Sequence, residues 1–288
     1  MGWPLIMHVN FCEQGQTIEE TCMKAVKWGY DGIEFRRRSD SSRANIEKYL
    51  NEIERAKKQS GLEHIVFGSP GPELMDPDKS VRESEVEKYL TFIELAAQRF
   101  DLRIMSIHSG GLVNPSKKIS ASSEFQSHGS FIAQDYHWRR AAEGMKEICK
   151  LAEKKGIKLA FEIHMCYLHD TMESTMKLIN LIGSDAIGVN LDYGNIRSLG
   201  LETSIEEAVA LAAGRLYYVH FKNSIWHDDG FRIKTCLGDG DINHREYISI
   251  LRKHKYNGPI CIESTKKGDR EWYARQDIGY LLDVIEGS

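Results

Sequence analysis

The heptapeptide Lys-Leu-Ala-Phe-Glu-Ile-His at residues 158–164 is an apolar run that closes on ionisable side chains. Three later runs have the same form: Gly-Val-Asn-Leu-Asp at 188–192, Tyr-Tyr-Val-His-Phe-Lys at 217–222 and Ile-Cys-Ile-Glu at 260–263. A helical pattern follows each run, which predicts strands of a parallel sheet. Ionisable groups are costly on the buried interior of such a sheet unless something pairs them, so the four strand ends predict a shared partner.

Strand and helix patterns alternate along the whole chain. The predicted strands are 5–11, 32–36, 64–68, 103–108, 157–164, 187–192, 216–222 and 259–263, and the predicted helices are 17–28, 42–60, 84–100, 138–155, 172–182, 205–213, 244–254 and 271–285. Eight such units without a linker predict one (β/α)8 TIM barrel over residues 1–288. A doubly wound sheet is the alternative, but it rarely needs eight alternating units in one unbroken domain.

Residues typical of helix ends support these boundaries. Thr17 with Glu19 and Glu20 predicts a capped helix start, with acidic side chains near the positive end of the helix dipole. Gly29 and Gly156 stand where helices should end, because glycine readily adopts the left-handed conformation that closes a helix.

Alternation along each strand sorts inward from outward side chains, since successive residues point to opposite faces. If Glu162 points inward, His164 does too, while Leu159, Phe161 and Ile163 face the helices. Active sites of this fold lie where inward residues meet at the carboxyl ends of the strands. The same rule directs inward His8, Glu34, Arg36, His108, Asp192, His220, Lys222 and Glu263.

One connection is long. Residues 109–132, between the fourth strand and the fourth helix, are rich in Gly, Ser and Lys and show no apolar period. Long loops of this kind are usually functional or disordered. We expect a substrate lid here, with plain disorder as the alternative.

Composition excludes several classes of function. The 38 basic and 42 acidic residues give a formal net charge of −4, which provides no basic surface for nucleic acid or an anionic membrane. No apolar run approaches the roughly 18 residues of a membrane helix. Six cysteines without a CxxC pair indicate reduced thiols, and no signal-peptide pattern opens the sequence, so we expect a cytoplasmic protein. A homo-oligomer or a small partner subunit stays open.

The strand-end residues Glu162, Asp192, His220 and Glu263 form a candidate ligand set for one divalent metal ion. Three carboxylates and one imidazole suit Mn²⁺, Mg²⁺ or Co²⁺ better than a structural zinc, which prefers thiolates. Such an ion keeps open positions for a sugar carbonyl and a neighbouring hydroxyl. Polarising the carbonyl acidifies the adjacent C–H bond. Four unrelated, separately solvated polar residues are the alternative.

Five short motifs occur along the second half of the chain: Phe-Glu-Ile-His at 161–164, Asn-Leu-Asp-Tyr-Gly-Asn at 190–195, Val-His-Phe-Lys-Asn at 219–223, Leu-Gly-Asp-Gly-Asp-Ile at 237–242 and Gly-Pro-Ile-Cys-Ile-Glu at 258–263. With these motifs the chain resembles the sugar phosphate isomerase/epimerase-like barrels, which are related to xylose isomerase. The resemblance implies that Glu162, Asp192, His220 and Glu263 bind one divalent ion, often Mn²⁺, with Mg²⁺, Co²⁺ or Zn²⁺ as alternatives. It also implies that the two glutamates move the substrate proton.

Departures from the family pattern narrow the function. Ketose 3-epimerases of the family carry a histidine where this chain has Asn195 and an arginine where it has Trp226. The endonuclease members need three zinc ions and further histidines, one of which Asn195 replaces. These departures count against simple ketohexose epimerisation and against a DNA-repair nuclease.

His164, two residues beyond Glu162 on the same face, is a candidate general base. The segment 162–165 is similar to one in inosose dehydratases, and the chain also resembles the α subunits of C-glycoside deglycosidases. We therefore expect proton abstraction next to the ketone of a 3-oxo-sugar or keto-cyclitol, followed by β-elimination, with Glu162 and Glu263 as further catalytic groups. A residue that orients Glu162 is the alternative role for His164.

Other inward or loop residues are candidates for binding a small-molecule sugar or glycoside. Each is also compatible with a structural role at the barrel mouth. Two alternatives to a lyase stay open: an isomerase or epimerase that acts through an enediolate, and a non-catalytic sugar-binding subunit. The candidate substrate-binding residues are His8, Glu34, Arg36, His108, Asn195, Lys222, Trp226 and Arg232.

Overall fold

Eight parallel strands close into a barrel in the computed structural model, which describes residues 2–38, 42–118, 122–212, 214–227, 231–263 and 266–287. The strands are β1 (Leu5–His8), β2 (Gly32–Arg36), β3 (His64–Gly68), β4 (Ile104–Ile107), β5 (Lys158–Glu162), β6 (Ile187–Asp192), β7 (Leu216–Phe221), β8 (Asn223–Trp226), β9 (Arg232–Thr235) and β10 (Ile260–Ile262). β8 and β9 form a separate antiparallel hairpin, and the barrel order is β1-β10-β7-β6-β5-β4-β3-β2. The predicted TIM barrel is confirmed.

Helices follow the strands and cover the outside of the barrel. They are α1 (Ile18–Trp28), α2 (Arg43–Ser60), α3 (Lys79–Ala97), α4 (Asp135–Lys155), α5 (Met172–Ile182), α6 (Tyr193–Ser198), α7 (Ile205–Leu211), α8 (His244–Lys253) and α9 (Arg270–Glu286). None of the described helices is long and apolar enough to cross a membrane.

The core has two layers, as strand alternation predicts. The outer layer, between strands and helices, includes Leu159, Phe161 and Ile163. A smaller inner layer fills the barrel and includes Ala160. The side chains of β5 therefore alternate between the two layers, and the predicted faces of this strand are confirmed. The inner layer consists of Ile6, Val66, Ile104, Ala160, Tyr218 and Cys261.

The predicted helix ends are present. Thr17 forms a capping box with Glu20, in which each side chain bonds the backbone N–H of the other residue. Gly29 closes α1 with φ of 95°, and Gly156 closes α4 with φ of 69°. These two positions are in the left-handed region, where a side chain would cost conformational energy.

Some boundaries differ from the sequence prediction. The first strand ends at His8 instead of residue 11, because Val9–Cys12 turn into a 3₁₀ helix whose start is capped by the His8 side chain. The β8–β9 hairpin and the short α6 were not predicted. The sixth predicted helix corresponds to α7, and its predicted end, Ala213, lies outside the described residues.

The described parts of the long connection, 109–118 and 122–132, contain two 3₁₀ helices, Ser122–Ser127 and Gly129–Ile132. The segment is bonded to the loop after β5, since the Ser130 N–H donates to Asp170 Oδ2 at 2.9 Å. Residues 119–121, which belong to the predicted lid, lie outside the described residues. Closure of this segment over a substrate stays a prediction.

Candidate metal centre

Four ionisable side chains converge at the carboxyl ends of β5, β6, β7 and β10, which are consecutive in the barrel. One ligand atom from each of Glu162, Asp192, His220 and Glu263 can be chosen so that all four atoms lie within 4.8 Å of one another. Register explains the convergence, because Asp192 pairs with His220, and His220 pairs with Cys261, two residues before Glu263. The structure thus brings the four predicted metal ligands together.

The His220 ring is held between two sets of carboxylates. Its Nε2 lies 2.9 Å from Glu34 Oε2, while its Nδ1 lies 3.4 Å from Glu263 Oε2 and 3.9 Å from Glu162 Oε1. When Nε2–H donates to Glu34 and Nδ1 has lost its proton, the Nδ1 lone pair points toward the cluster. A carboxylate behind a histidine in this way is the usual support for a metal ligand.

Burial and charge shift the pKa values of the cluster. Burial raises the pKa of Glu162 to about 8. Burial also favours the neutral form of Glu263, but the charges of Lys222 and His220 outweigh it and hold the Glu263 pKa well below its ordinary value. Burial lowers the pKa of His220, yet the Glu34 carboxylate holds it well above its usual range. The cluster therefore combines groups that bind protons tightly with groups that stay charged.

Lys222 and Asn195 brace the carboxylates. The Lys222 ammonium lies 2.6 Å from Asp192 Oδ2 and 2.9 Å from Glu263 Oε2. The Asn195 backbone N–H donates to Asp192 Oδ1 at 2.9 Å, and its side-chain Nδ2 donates to Glu162 Oε1 at 3.3 Å. Lys222 and Asn195 were both predicted from sequence to bind substrate. In the structure both lie against the cluster and on the wall of the adjoining cavity.

The donor set fits a divalent cation. Asp192 Oδ2 and Glu263 Oε2 contact the Lys222 ammonium. His220 Nδ1 is buried, has no hydrogen bond within the described residues and lies 3.4 Å from Glu263 Oε2. A cation between these donors would give His220 Nδ1 the partner that a buried polar atom rarely lacks. Oxygen and imidazole donors are the ligands expected for Mn²⁺, Mg²⁺ or Co²⁺. These residues are consequently suited to hold one such ion.

A cavity of about 100 Å³ adjoins the cluster. Its wall includes Glu263 and His164 together with the hairpin residues Arg232 and Lys234. A larger cavity of about 410 Å³ is lined by residues near the amino ends of the strands, among them Ile6 and Val66, and by none of the cluster residues. The smaller cavity is therefore the one of the two that adjoins the candidate metal ligands.

His164 presents one ring nitrogen for proton transfer. Its Nδ1 lies 2.9 Å from the Met165 carbonyl oxygen, which makes Nδ1 the protonated nitrogen and leaves Nε2 with a lone pair. Burial and the Lys222 charge lower the His164 pKa. The imidazole is therefore neutral and able to accept a proton at neutral pH.

Two further histidines adjoin Glu162. His108 Nε2 lies 3.5 Å from Glu162 Oε2, and burial together with His169 and His164 holds the His108 pKa well below its usual range. His169 Nδ1 donates to the Glu162 carbonyl oxygen at 2.6 Å, and its Nε2 accepts from the Ser109 N–H. His169 was not a candidate from sequence, because it lies in the loop after β5 and outside the strand alternation.

Four other candidates lie outside the cavity wall. Glu34 supports His220, and His8 Nε2 lies 4.0 Å from Glu34 Oε1. The Arg36 side chain is partly exposed and pairs with Glu13 at 2.6 Å. Trp226 lies in β8, with the Arg197 guanidinium 5.5 Å from its ring centre.

Comparison with known sequences agrees with this architecture. Residues 22–284 match the family model described as xylose isomerase-like TIM barrel. Inosose dehydratase from Clostridium perfringens is 25% identical over 151 residues, which are 47% of this chain and 50% of that protein. The chain thus spans about half the length of that curated relative.

Comparison with solved structures extends over nearly the whole chain. D-allulose 3-epimerase from Methylomonas sp. superposes with a TM-score of 0.76 at 15% identity, covering 99% of this chain and 100% of the other. A xylose isomerase-like TIM barrel protein from Mycobacterium smegmatis, in complex with magnesium, superposes with a TM-score of 0.74 at 19% identity, covering 99% and 97%. At such identities these likenesses concern the fold.

Proposed function

Because the chain belongs to the xylose isomerase-like TIM barrel family, we propose that it is a divalent-metal-dependent enzyme that removes a proton from the carbon next to a sugar or cyclitol carbonyl. The observation that carries the proposal is the convergence of the four ligand atoms within 4.8 Å of one another, beside a cavity whose wall includes His164. The inosose dehydratase relatives support this class of substrate.

The protein residues divide into holding and reacting groups. Glu162, Asp192, His220 and Glu263 would hold the ion, which when bound polarises the carbonyl and stabilises negative charge on its oxygen. Lys222, which lies against Asp192 and Glu263, supplies a positive charge at the same wall. These groups stabilise the charge that develops as the C–H bond breaks.

We assign the base role to His164. Its Nε2 accepts the proton from the α-carbon, and the electron pair of that C–H bond moves toward the carbonyl oxygen. In elimination the pair then returns to form a C=C bond, and the β-substituent leaves with its bonding electrons and takes up a proton. For an inosose the leaving group is water. Because burial lowers its pKa, the imidazole is neutral at neutral pH, and its Nε2 is available to accept the proton.

A second candidate is an isomerase or epimerase. Glu162 and Glu263 lie in the same cluster, and two carboxylates on opposite faces of a substrate suit reprotonation at the neighbouring carbon. Release of a β-substituent distinguishes the two reactions, because reprotonation keeps every substituent on the sugar.

The test is an assay of Mn²⁺-loaded protein in D₂O with inososes, 3-oxo-glucosides and free ketoses, followed by NMR. We expect loss of the α-proton signal from a ketone substrate and formation of an enone with release of the β-substituent. Asp192→Ala removes a ligand and should abolish both. Exchange without release would favour the isomerase, and no exchange with any of the three substrate classes under metal-replete conditions would contradict the proposal.

A further inference from the structure

The β8–β9 hairpin places two cations beside the metal centre. Register pairs Ser224 with Lys234 and Trp226 with Arg232, so Arg232 and Lys234 lie two residues apart on one face of β9. That face borders the cavity, since both residues belong to its wall. The residue between them, Ile233, is 57% exposed. The hairpin thus turns its basic face toward the cavity and its apolar face away from it.

Neither cation has an acidic partner in the described part of the chain. Arg232 Nη1 donates to the Ser198 hydroxyl, which orients the guanidinium, but no described carboxylate oxygen lies within 4.0 Å of Arg232 or Lys234. Lys222, by contrast, is paired with Asp192 and Glu263. A partly buried guanidinium is ordinarily matched by an anion, because removing its charge from water is costly.

The two side chains also lie close enough to affect each other. Burial lowers the pKa of Lys234, and the charges of Lys222 and Arg232 lower it further. Burial likewise lowers the pKa of Arg232. An anion that entered this wall would relieve the repulsion between the cations and offset the desolvation of the part-buried Arg232.

We propose that Arg232 and Lys234 bind an anionic substituent, a carboxylate or a phosphate, of the keto-sugar or keto-cyclitol on which the enzyme acts. A guanidinium offers paired N–H donors that match both groups, and an ammonium adds a point charge. The inference rests on the proposed function, whose relatives are inosose dehydratases, and it goes beyond it by giving the substrate a charged end. The metal centre would hold the carbonyl end and the hairpin the anionic end.

Three ketoses that differ at one carbon test this directly: D-fructose, D-fructuronate and D-fructose 6-phosphate. Binding to the Mn²⁺-loaded protein is measured by calorimetry at low and high salt. We expect at least one anionic ketose to bind tenfold or more tightly than D-fructose, which is about 1.4 kcal/mol, and the preference to shrink with salt. Whether the carboxylate or the phosphate compound is preferred identifies the substituent.

Variants locate the effect. Lys234→Gln and Arg232→Gln should each weaken binding of the preferred anionic ketose about fivefold or more, on the scale of roughly 1 kcal/mol or more for a charge-assisted contact. They should weaken it by a clearly larger factor than they change the affinity for D-fructose. Lys79→Gln, which alters an exposed side chain at the start of α3, is the matched control and should change neither affinity.

Equal affinity for all three ketoses, or an anion preference that survives both substitutions, would overturn the inference. Exchange of the α-proton of a neutral ketone reports the proposed function separately, so a protein that exchanges it without an anion preference refutes the inference alone. An anion preference without exchange from any ketone supports the anionic subsite and counts against the proposed chemistry.

Discussion

Glu34 Oε2 lies 2.9 Å from Nε2 of His220, while Glu162 and Glu263 lie near the other ring nitrogen, Nδ1. Glu34 is 1% exposed and His220 is 1% exposed, so water does not compete for this bond. The bond fixes the ring so that Nδ1 points toward Glu162 and Glu263. A residue proposed from sequence to bind substrate therefore lies in position to orient a metal ligand.

We predict that Glu34→Gln weakens Mn²⁺ binding by about 10–100-fold, which is typical when the support of a ligating histidine is altered. The amide oxygen of the glutamine can still accept the hydrogen bond from His220 Nε2–H. It lacks the negative charge of the carboxylate, which increases the basicity of the imidazole and so strengthens its bond to the ion. Mn²⁺ titration followed by calorimetry measures the change. Glu13→Gln, which alters the partly exposed partner of Arg36, should leave the affinity unchanged. Wild-type affinity in Glu34→Gln would contradict the assignment.

Gly68 makes room for Glu34. A side-chain carbon at this position would overlap Glu34 Oε1, with the Glu34 Cδ atom 3.0 Å away. Gly68→Ala should therefore displace the carboxylate, lower the stability by about 1–3 kcal/mol, as overpacking does, and weaken Mn²⁺ binding. Thermal unfolding and metal titration measure the two effects.

Gly279 is the matched control for Gly68. It lies in α9, and a side-chain carbon there would meet no atom within 4 Å. Gly279→Ala should keep the metal affinity and leave stability equal or higher by roughly 0.5–1 kcal/mol, because alanine favours the helix. Equal effects of the two substitutions would show that Gly68 has no special relation to Glu34.

Much of the fold was predictable because its signals are local and repeated. Alternating strand and helix patterns gave the barrel, and the inward periodicity of β5 identified Glu162 and His164. The convergence of Glu162 and Glu263 also follows, because all parallel strands of a barrel end at one rim.

The sequence does not show which side chain each inward-pointing residue contacts. Glu34 and Arg36 share a predicted face, yet Glu34 meets His220 in the barrel, while Arg36 at the strand end turns to Glu13. Lys234 lies in β9, which is four residues long. A strand this short shows no clear alternation of polar and apolar residues, so the hairpin was not predicted from sequence. Such choices depend on barrel register and loop geometry, which no single strand encodes.

Metal loss should lower thermal stability. An ion that binds only the folded state adds about 2.7 kcal/mol at a free concentration one hundred times its Kd. The Lys222 ammonium between Asp192 and Glu263 would offset part of the repulsion among the carboxylates, so we expect the metal-free protein to fold but melt lower. Melting temperatures before and after chelation, with metal content measured, test this. An unchanged Tm after confirmed metal loss would refute it.

Mn²⁺ affinity should rise with pH. Burial raises the pKa of Glu162 to about 8, and Glu34 holds the pKa of His220 above its usual range, so protons on these groups compete with the ion. Below pH 8 binding must release a proton from Glu162, which predicts up to about a tenfold gain in affinity per pH unit for each proton released. Above pH 8 the contribution of Glu162 levels off. Calorimetry in buffers of different ionisation enthalpy counts the protons released. An Mn²⁺ affinity that stays the same from pH 6 to pH 8 would contradict the prediction.

His164→Asn separates a base from a residue that only orients its neighbours. The asparagine amide can keep the bond to the Met165 carbonyl while removing the Nε2 lone pair. We expect unchanged metal binding and substrate affinity, with kcat and kcat/KM falling together by about 10²–10⁴-fold, the usual effect of losing a general base. The wild-type kcat/KM should rise with pH as His164 loses its proton, below its ordinary pKa because burial lowers it, and the variant should lack that limb. His64→Asn, on the exposed start of β3, is the control and should behave as wild type. Normal turnover by His164→Asn would contradict the assignment of His164 as the general base. A wild-type protein that interconverts ketoses without releasing a β-substituent would contradict the proposed elimination reaction.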